Sequence, residues 1–345
     1  MESFLSASKV ALSKPLVYKR ICIVLGNESC DLDSAVSALI QAFSEYLEGI
    51  KRKETDLAVI PLMNISEREY RVKTEVVFFL KRHNISSNLL TFRDQIDLKA
   101  LKKNVETKLE LVLVDHHNLP DEDIYLMDSV VKIIDHRPQD ERWPWPGREI
   151  HLESVGSCAT LVARNLFDKH AEIIDSQISS LLRGPILVDT CNFSKETDRA
   201  TPTDVEIVES LEKVGLLDLD RDKVFNEIVK AKSDISELTI DDLLIKDLKV
   251  IVGIPIVGLP MLVKVKAKAY TYFLLYKYLE ISLLAQSFQA LMASTQPSLE
   301  LNLIRKIHQE DGDVNLFLYE QRNLRATRKQ ILPIIRDTVS FECRC

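Results

Sequence analysis

Large aliphatic residues fall along the first part of the chain in short unbroken runs, and the stretches between them carry apolar residues at helical spacing. Residues 111–114, Leu-Val-Leu-Val, are bounded by charge, the mark of a strand buried on both faces in a parallel sheet. Runs of the same kind occupy 21–25, 57–62, 89–92 and 133–134. Between them, Val36, Leu39, Ile40 and Phe43 share one helical face, and residues 67–80 and 98–101 also read as helices. This alternation is the βαβ rhythm of an α/β protein and predicts an N-terminal, doubly wound, mainly parallel sheet. A helix is expected from about residue 157 to about 167, a further apolar run lies at 186–188, and another helix starts at Pro202. The polar stretch 218–222 marks a boundary: a first domain over 1–205, a linker over 206–222, and a smaller C-terminal α/β domain over 223–345. Within that second domain the pattern predicts a helix at 237–244, a strand at 249–256, an apolar helix-rich region at 270–292 and a final helix opened by Thr327.

Chemistry collects where the apolar runs stop. The run at 111–114 delivers Asp115, His116 and His117, and the run at 133–134 delivers Asp135, His136 and Arg137. In open parallel sheets ligands gather beyond the carboxyl ends of the strands, so a carboxylate and imidazole placed there are candidate metal ligands. The loop after the first run, Gly-Asn27-Glu-Ser-Cys-Asp31-Leu-Asp33-Ser, offers two alternating carboxylates ahead of a helix. Either Asp33 or Ser34 could merely cap that helix; the recurrence of the pattern favours metal ligation. Asp189 adds a carboxylate at the end of a further buried element. Asp31, Asp33, Asp115, His136 and Asp189 together are hard oxygen donors with one imidazole, a set that suits magnesium or manganese, and a shared Asp can bridge two ions. Ser157 and Thr160 read as helix-start residues, and such an N-terminus could also receive an anion.

Composition narrows the classes. A formal charge of −7 over 345 residues argues against a nucleic-acid polymer as partner, since such proteins carry a basic stripe; a small anionic substrate stays compatible if cations neutralise it locally. The six cysteines are scattered without a CxxC pair, which reads as reduced thiols. No apolar run reaches membrane-spanning length and no secretory signal is visible, so a cytosolic protein with no membrane partner is expected.

The motifs taken in order resemble one known family. Asp31-Leu-Asp-Ser, Val114-Asp-His-His, Ile134-Asp-His-Arg and Val188-Asp-Thr resemble the four motifs of the DHH phosphoesterase superfamily. The stretches Leu244-Ile-Lys-Asp-Leu-Lys249 and Thr327-Arg-Lys-Gln-Ile-Leu-Pro are similar to the C-terminal domain of family II inorganic pyrophosphatases and eukaryotic exopolyphosphatases. Val-Leu-Gly-Asn-Glu-Ser-Cys-Asp-Leu-Asp-Ser, Asp-His-Arg-Pro and Val-Gly-Ser-Cys-Ala-Thr-Leu bring the match closest to the prune-type branch, over nearly the whole chain.

The resemblance implies an acid-anhydride hydrolase, an exopolyphosphatase releasing terminal phosphate from short polyphosphates, with a second activity on cyclic nucleotides, and an active site in the cleft between the two domains. It implies two divalent ions per site: Asp31 on the first, Asp33 on the second, Asp115 bridging them, and His136 and Asp189 completing the second site. His116 would support Asp115 from behind. Lys249, Arg328 and Lys329 would hold phosphate oxygens from the second domain. Two departures from the pyrophosphatases bear on activity. Asn27 stands where they carry a His, offering a weaker neutral oxygen ligand, and Arg137 stands where they carry a second His, offering positive charge to substrate or transition state. Both weigh against fast pyrophosphate hydrolysis. The competing readings are an inorganic pyrophosphatase and a regulatory or protein-binding member with a weakened site.

Overall fold

The computed structural model describes residues 1–218 and 220–246, and beyond them the segments 248–251, 254–257, 263–265, 268–270, 289–295, 301–308 and 315–321, with isolated residues 298, 300 and 334. The chain folds as two units, Met1–Asp234 and Ile235–Cys345.

The first unit is built on six parallel strands: β1 (Arg20–Leu25), β2 (Leu57–Met63), β3 (Thr91–Phe92), β4 (Lys108–Val114), β5 (Val130–Asp135) and β6 (Glu149–Leu152). Their order across the sheet is β3-β2-β1-β4-β5-β6, with every neighbouring pair parallel. Sequence order therefore runs outward from β1 in one direction and then returns to its other side. The carboxyl ends of β1 and β4 lie at this reversal, which is where an open α/β sheet forms its crevice.

Alternation along each strand splits the core in two. Cys22, Val24, Val59, Met63, Val112 and Val114 face one cluster, and Ile21, Ile23, Leu25, Ala58, Ile60, Leu62, Leu111 and Leu113 the other. Both sides of the pleat are buried, hence the unbroken aliphatic runs. The helices are α1 (Glu2–Ser13), α2 (Leu32–Lys51), α3 (Glu67–Tyr70), α4 (Thr74–Arg82), α5 (Leu98–Lys103), α6 (Cys158–His170), α7 (Ser176–Asp189), α8 (Pro202–Gly215) and α9 (Arg221–Ser233). Helices α2, α4, α6 and α7 cover the first cluster, while α5 and the loop bearing Trp145 cover the second. Small residues Ala35, Ala38 and Ala42 let α2 lie close to β2, α6 and α7.

Some elements differ from the pattern. The single helix expected over 67–80 is broken between Tyr70 and Thr74, because Tyr70 and Val72 are both buried and residues two apart do not share a helical face. The segment 206–222 carries most of α8, whose Ile207, Val208 and Leu211 enter the first unit's core, and the division falls after α9. The strand expected at 249–256 is an antiparallel pair, β7 (Leu248–Ile251) with β8 (Ile254–Val257). The second unit further contains α10 (Ile240–Lys246), β9 (Val263–Val265) paired with β10 (Lys268–Tyr270), and β11 (Leu301–His308) paired with β12 (Asn315–Gln321). Most of 270–292 and the helix expected from Thr327 lie outside the described residues. Among the described residues no helix is long and apolar enough to cross a membrane.

The fit of α7 against α4 is tight enough to test. A Cβ on Gly184 would stand 2.2 Å from Cζ of Phe79, a ring that is itself fully buried. Gly184→Ala is expected to lower stability by about 1–3 kcal/mol through overpacking. Thermal denaturation checks this, and pairing it with Phe79→Leu should recover part of the loss; an unchanged melting temperature would show that α7 is free to shift.

Candidate metal centre

Asp115 is the first residue beyond β4, and its amide still bonds to the Ile134 carbonyl at 2.9 Å. Its backbone then turns left-handed at φ 62°, a costly conformation for a non-glycine residue that reverses the chain at the strand end. This aims a buried carboxylate out beyond the carboxyl end of the sheet, where β1 and β4 meet. His136, one residue past β5, is fixed by donating from Nδ1 to the Val155 carbonyl at 3.0 Å, which leaves Nε2 facing Asp115 Oδ1 at 3.3 Å. Asp33 comes from the first turn of α2. Its Oδ1 and Oδ2 accept the Ala159 and Cys158 amides at 2.8 and 2.7 Å, and Ser37 donates to Oδ1 at 3.2 Å. The N-terminus of α6 thus does receive an anion, and the anion is this carboxylate. Ser157, at the N-cap position, makes no side-chain cap bond.

Ligand atoms of Asp33, Asp115 and His136 all lie within 4.8 Å of one another. The charges show how closely the acids crowd. Burial pushes Asp115 up to about 8, the Asp33 charge adds to the rise, and the His136 bond opposes it. Burial also raises Asp33, offset by His136 and the two α6 amides. His136 is disfavoured as a cation by burial, yet Asp115 and Asp33 outweigh that and raise it to about 9. Asp189, at the C-terminal end of α7, is held well above the usual carboxylate range by burial and by the charges of Asp33, Asp31 and Asp115. Its buried Oδ2 makes no hydrogen bond. Carboxylates that raise one another, with a buried oxygen left unpartnered, form a donor set that a hard divalent cation fits.

The remaining sequence candidates take varied positions. Asp31 caps α2 through Ser34 N at 3.1 Å and accepts Ser29 Oγ at 3.0 Å; it is outside the three-residue group but close enough to raise Asp189. Asn27 Oδ1 accepts from Ser29 N, Ser29 Oγ and Cys30 N at 2.9, 2.6 and 3.1 Å, and its Nδ2 donates to Asp115 Oδ2 at 2.5 Å. With the oxygen engaged three times, this amide presents a donor to Asp115, where the sequence suggested an oxygen ligand. His116 donates from Nδ1 to the Val114 carbonyl at 2.9 Å, and burial lowers its pKa. Arg137 holds Nη2 3.6 Å from Asp115 Oδ1 and is half exposed. A cavity of about 280 Å³ opens beside the ligands, with Asn27, Asn64, His116, Asn118 and Arg137 in its wall and Leu25 and Leu119 among its apolar lining. Arg328 and Lys329 lie outside the described residues, as does the side chain of Lys249, whose backbone belongs to β7.

Two residues at the same strand ends, outside the five proposed ligands, support the site. Asp135 is fully buried and accepts both His117 Nδ1 at 2.5 Å and the His136 amide at 2.8 Å. His117 accepts the Asp140 amide on Nε2 at 3.0 Å, and its carbonyl receives Trp145 Nε1 at 2.7 Å. The second His of the pair is therefore structural, and the tryptophan loop clamps it.

No family model matches the chain. It is 34% identical to exopolyphosphatase PRUNE1 of Homo sapiens in an alignment covering 99% of this chain and 80% of that protein. Against exopolyphosphatase PRUNE1 of Bos taurus it is 42% identical, covering 73% of this chain and 53% of the relative. The matches thus span about half the length of the bovine, rat and mouse relatives. A more distant similarity, 27% identity over 66% of this chain and 64% of the relative, is to the manganese-dependent inorganic pyrophosphatase of Methanothrix thermoacetophila.

Proposed function

This chain belongs to the prune-type exopolyphosphatase family of the DHH phosphoesterase superfamily, and on that basis we propose that it is a metal-dependent phosphohydrolase releasing the terminal phosphate of short polyphosphates. The observation that carries the reading is the convergence of Asp33, Asp115 and His136 on one point, with Asp189 raised by the same charges.

Asp33, Asp115, His136 and Asp189 would hold manganese or magnesium, with Asp31 contributing to a second ion. Oxygen donors joined by one imidazole suit both metals, and a relative is named as manganese-dependent. A divalent cation there supplies Lewis-acid polarisation of the phosphoryl oxygens. The protein's own groups do the rest. The α6 amides fix Asp33, the Val155 carbonyl fixes the His136 ring, and the Asn27 amide holds Asp115 by its second oxygen. Arg137 stands half exposed at the edge of the site, with a guanidinium able to meet phosphate oxygens as charge builds on them. The adjoining cavity offers Asn64, Asn118 and Arg137 to the part of the substrate that does not react, with Glu28 and Asp123 also in its wall.

Arg137→Gln is expected to lower kcat/KM for tripolyphosphate by about 10- to 100-fold, as loss of one charge-stabilising donor does elsewhere. Metal affinity should hold or tighten, because a cation is removed from beside Asp115. Steady-state kinetics and metal titration separate the two effects.

Inorganic pyrophosphatase is the second reading. With the Asn27 oxygen committed to Ser29 and Cys30, the site has one candidate ligand fewer than the pyrophosphatase pattern, which weighs against fast pyrophosphate hydrolysis. Purified protein with Mn²⁺ or Mg²⁺ should release phosphate from tripolyphosphate faster than from pyrophosphate. Faster turnover of pyrophosphate would assign the second reading, and no release from either would leave a binding protein.

A further inference from the structure

We propose that Asp204 is a positioning residue of the metal centre: from outside the ligand set it locks the turn 156–159 that holds Asp33 and packs against Thr190, beside Asp189. The inference rests on the metal-site reading above and adds a residue to it.

The turn serves two ligands at once. Its Cys158 and Ala159 amides grip Asp33, and its Gly156 packs against Thr190, the neighbour of Asp189. A displacement of the turn would therefore move the donors on Asp33 and the packing beside Asp189. What fixes it lies behind, on α8. Asp204 is fully buried, and its Oδ2 accepts the Gly156 amide at 2.8 Å while its Oδ1 accepts Thr160 Oγ1 at 2.6 Å. The carboxylate spans the turn from its first residue to the helix it enters.

Capping α8 does not by itself account for this arrangement. Asp204 forms a capping box with Thr201, whose amide and hydroxyl each bond Oδ2 at 2.7 Å. Oδ2 satisfies that cap. Oδ1 is turned to α6, where it meets the Thr160 hydroxyl. The turn also has little room to slip: a Cβ on Gly156 would meet Thr190 Cγ2 at 2.5 Å and Asp204 Oδ2 at 2.9 Å. Thr190 follows Asp189 directly, so the same packing joins the α7 end, the turn and Asp204. Residues that orient metal ligands without touching the ion are known to govern affinity in this way.

The test uses the full chain and Mn²⁺ alone, with free Mn²⁺ measured by electron paramagnetic resonance and no substrate present. Thr160→Val removes one hydroxyl donor to Asp204 at nearly constant volume, and Asp204→Asn replaces the anion. Both are expected to weaken Mn²⁺ by about 10- to 100-fold. Thr160→Ser keeps the hydroxyl and should restore wild-type affinity. Thr201→Ala cuts the α8 cap and should lower the melting temperature, by about 1 kcal/mol of stability, while leaving Mn²⁺ affinity within about twofold. Should Asp204→Asn fail to fold, Thr160→Val with its Ser rescue decides the matter. Wild-type affinity in Thr160→Val, or equal weakening in Thr201→Ala, would overturn the positioning role while leaving the metal site standing. Absence of Mn²⁺ binding by the wild type would sink both.

Discussion

Asp115→Asn should remove phosphate release by about a thousandfold or more and, in the same protein without metal, raise the melting temperature. The first effect follows from position, since a carboxylate oxygen of Asp115 lies within 4.8 Å of ligand atoms of both Asp33 and His136, and Asp33, His136, Asp31 and Arg137 all act on it. The second follows from the crowding that makes the site useful. A carboxylate raised to about 8 by burial and by Asp33 binds its proton more tightly in the folded than in the unfolded chain. Metal-free stability is then greatest below the ordinary carboxylate value and is lost as pH rises toward about 8. Asparagine carries no such loss, its amide can still accept from Asn27, and it tolerates the left-handed backbone at φ 62°. The gain should be on the order of 1–2 kcal/mol near pH 8 and vanish near pH 4. Melting curves across that range check it. A destabilised Asp115→Asn protein at pH 8 would mean that the site is held together by groups other than those named.

Metal removal is the second large effect. Chelation should reduce phosphate release to background, and Mn²⁺ or Mg²⁺ should restore it. Saturating metal should stabilise the wild type by about 2.7 kcal/mol at a hundredfold excess over Kd, reversing the order of wild type and Asp115→Asn. Protons compete for the same atoms, because Asp115 is raised to about 8 and His136 to about 9. Mn²⁺ affinity is therefore expected to rise with pH through the neutral range up to about 9, and binding near neutrality should release protons into the buffer. Calorimetry in two buffers of different ionisation enthalpy measures that release. Affinity independent of pH would contradict the protonated metal-free site.

How much of this was legible in the sequence depends on the reach of each interaction. The strands announced themselves because parallel strands bury both faces, so residues 111–114 and 21–25 needed no partner to be recognised. Asp115 and His136 were legible for the same reason, each following directly on such a run. Asp33 was legible as a loop carboxylate, but its partners were not: the Cys158 amide lies 125 positions away, and nothing local shows that a helix start will receive an acidic side chain in place of a ligand. The sequence left Asp33 or Ser34 open as an alternative cap for that helix; Asp31 provides it, and Asp33 turns inward. Asp204 sat in a visible Thr-x-x-Asp helix start, yet its burial and its second face appear only once α8 packs on α6. Asn27 shows the limit of reading a residue by its donor atoms. The type allowed an oxygen ligand, and three short-range donors took that oxygen.

The site itself can be seen directly by anomalous diffraction at the manganese edge from crystals grown with Mn²⁺. The expected result is a peak about 2.1 Å from carboxylate oxygens of Asp33 and Asp115 and from Nε2 of His136, with Asp189 Oδ2 turned toward it. A peak elsewhere, or none beside Asp115 in crystals of protein that binds Mn²⁺ in solution, would contradict the metal centre and the hydrolysis assigned to it.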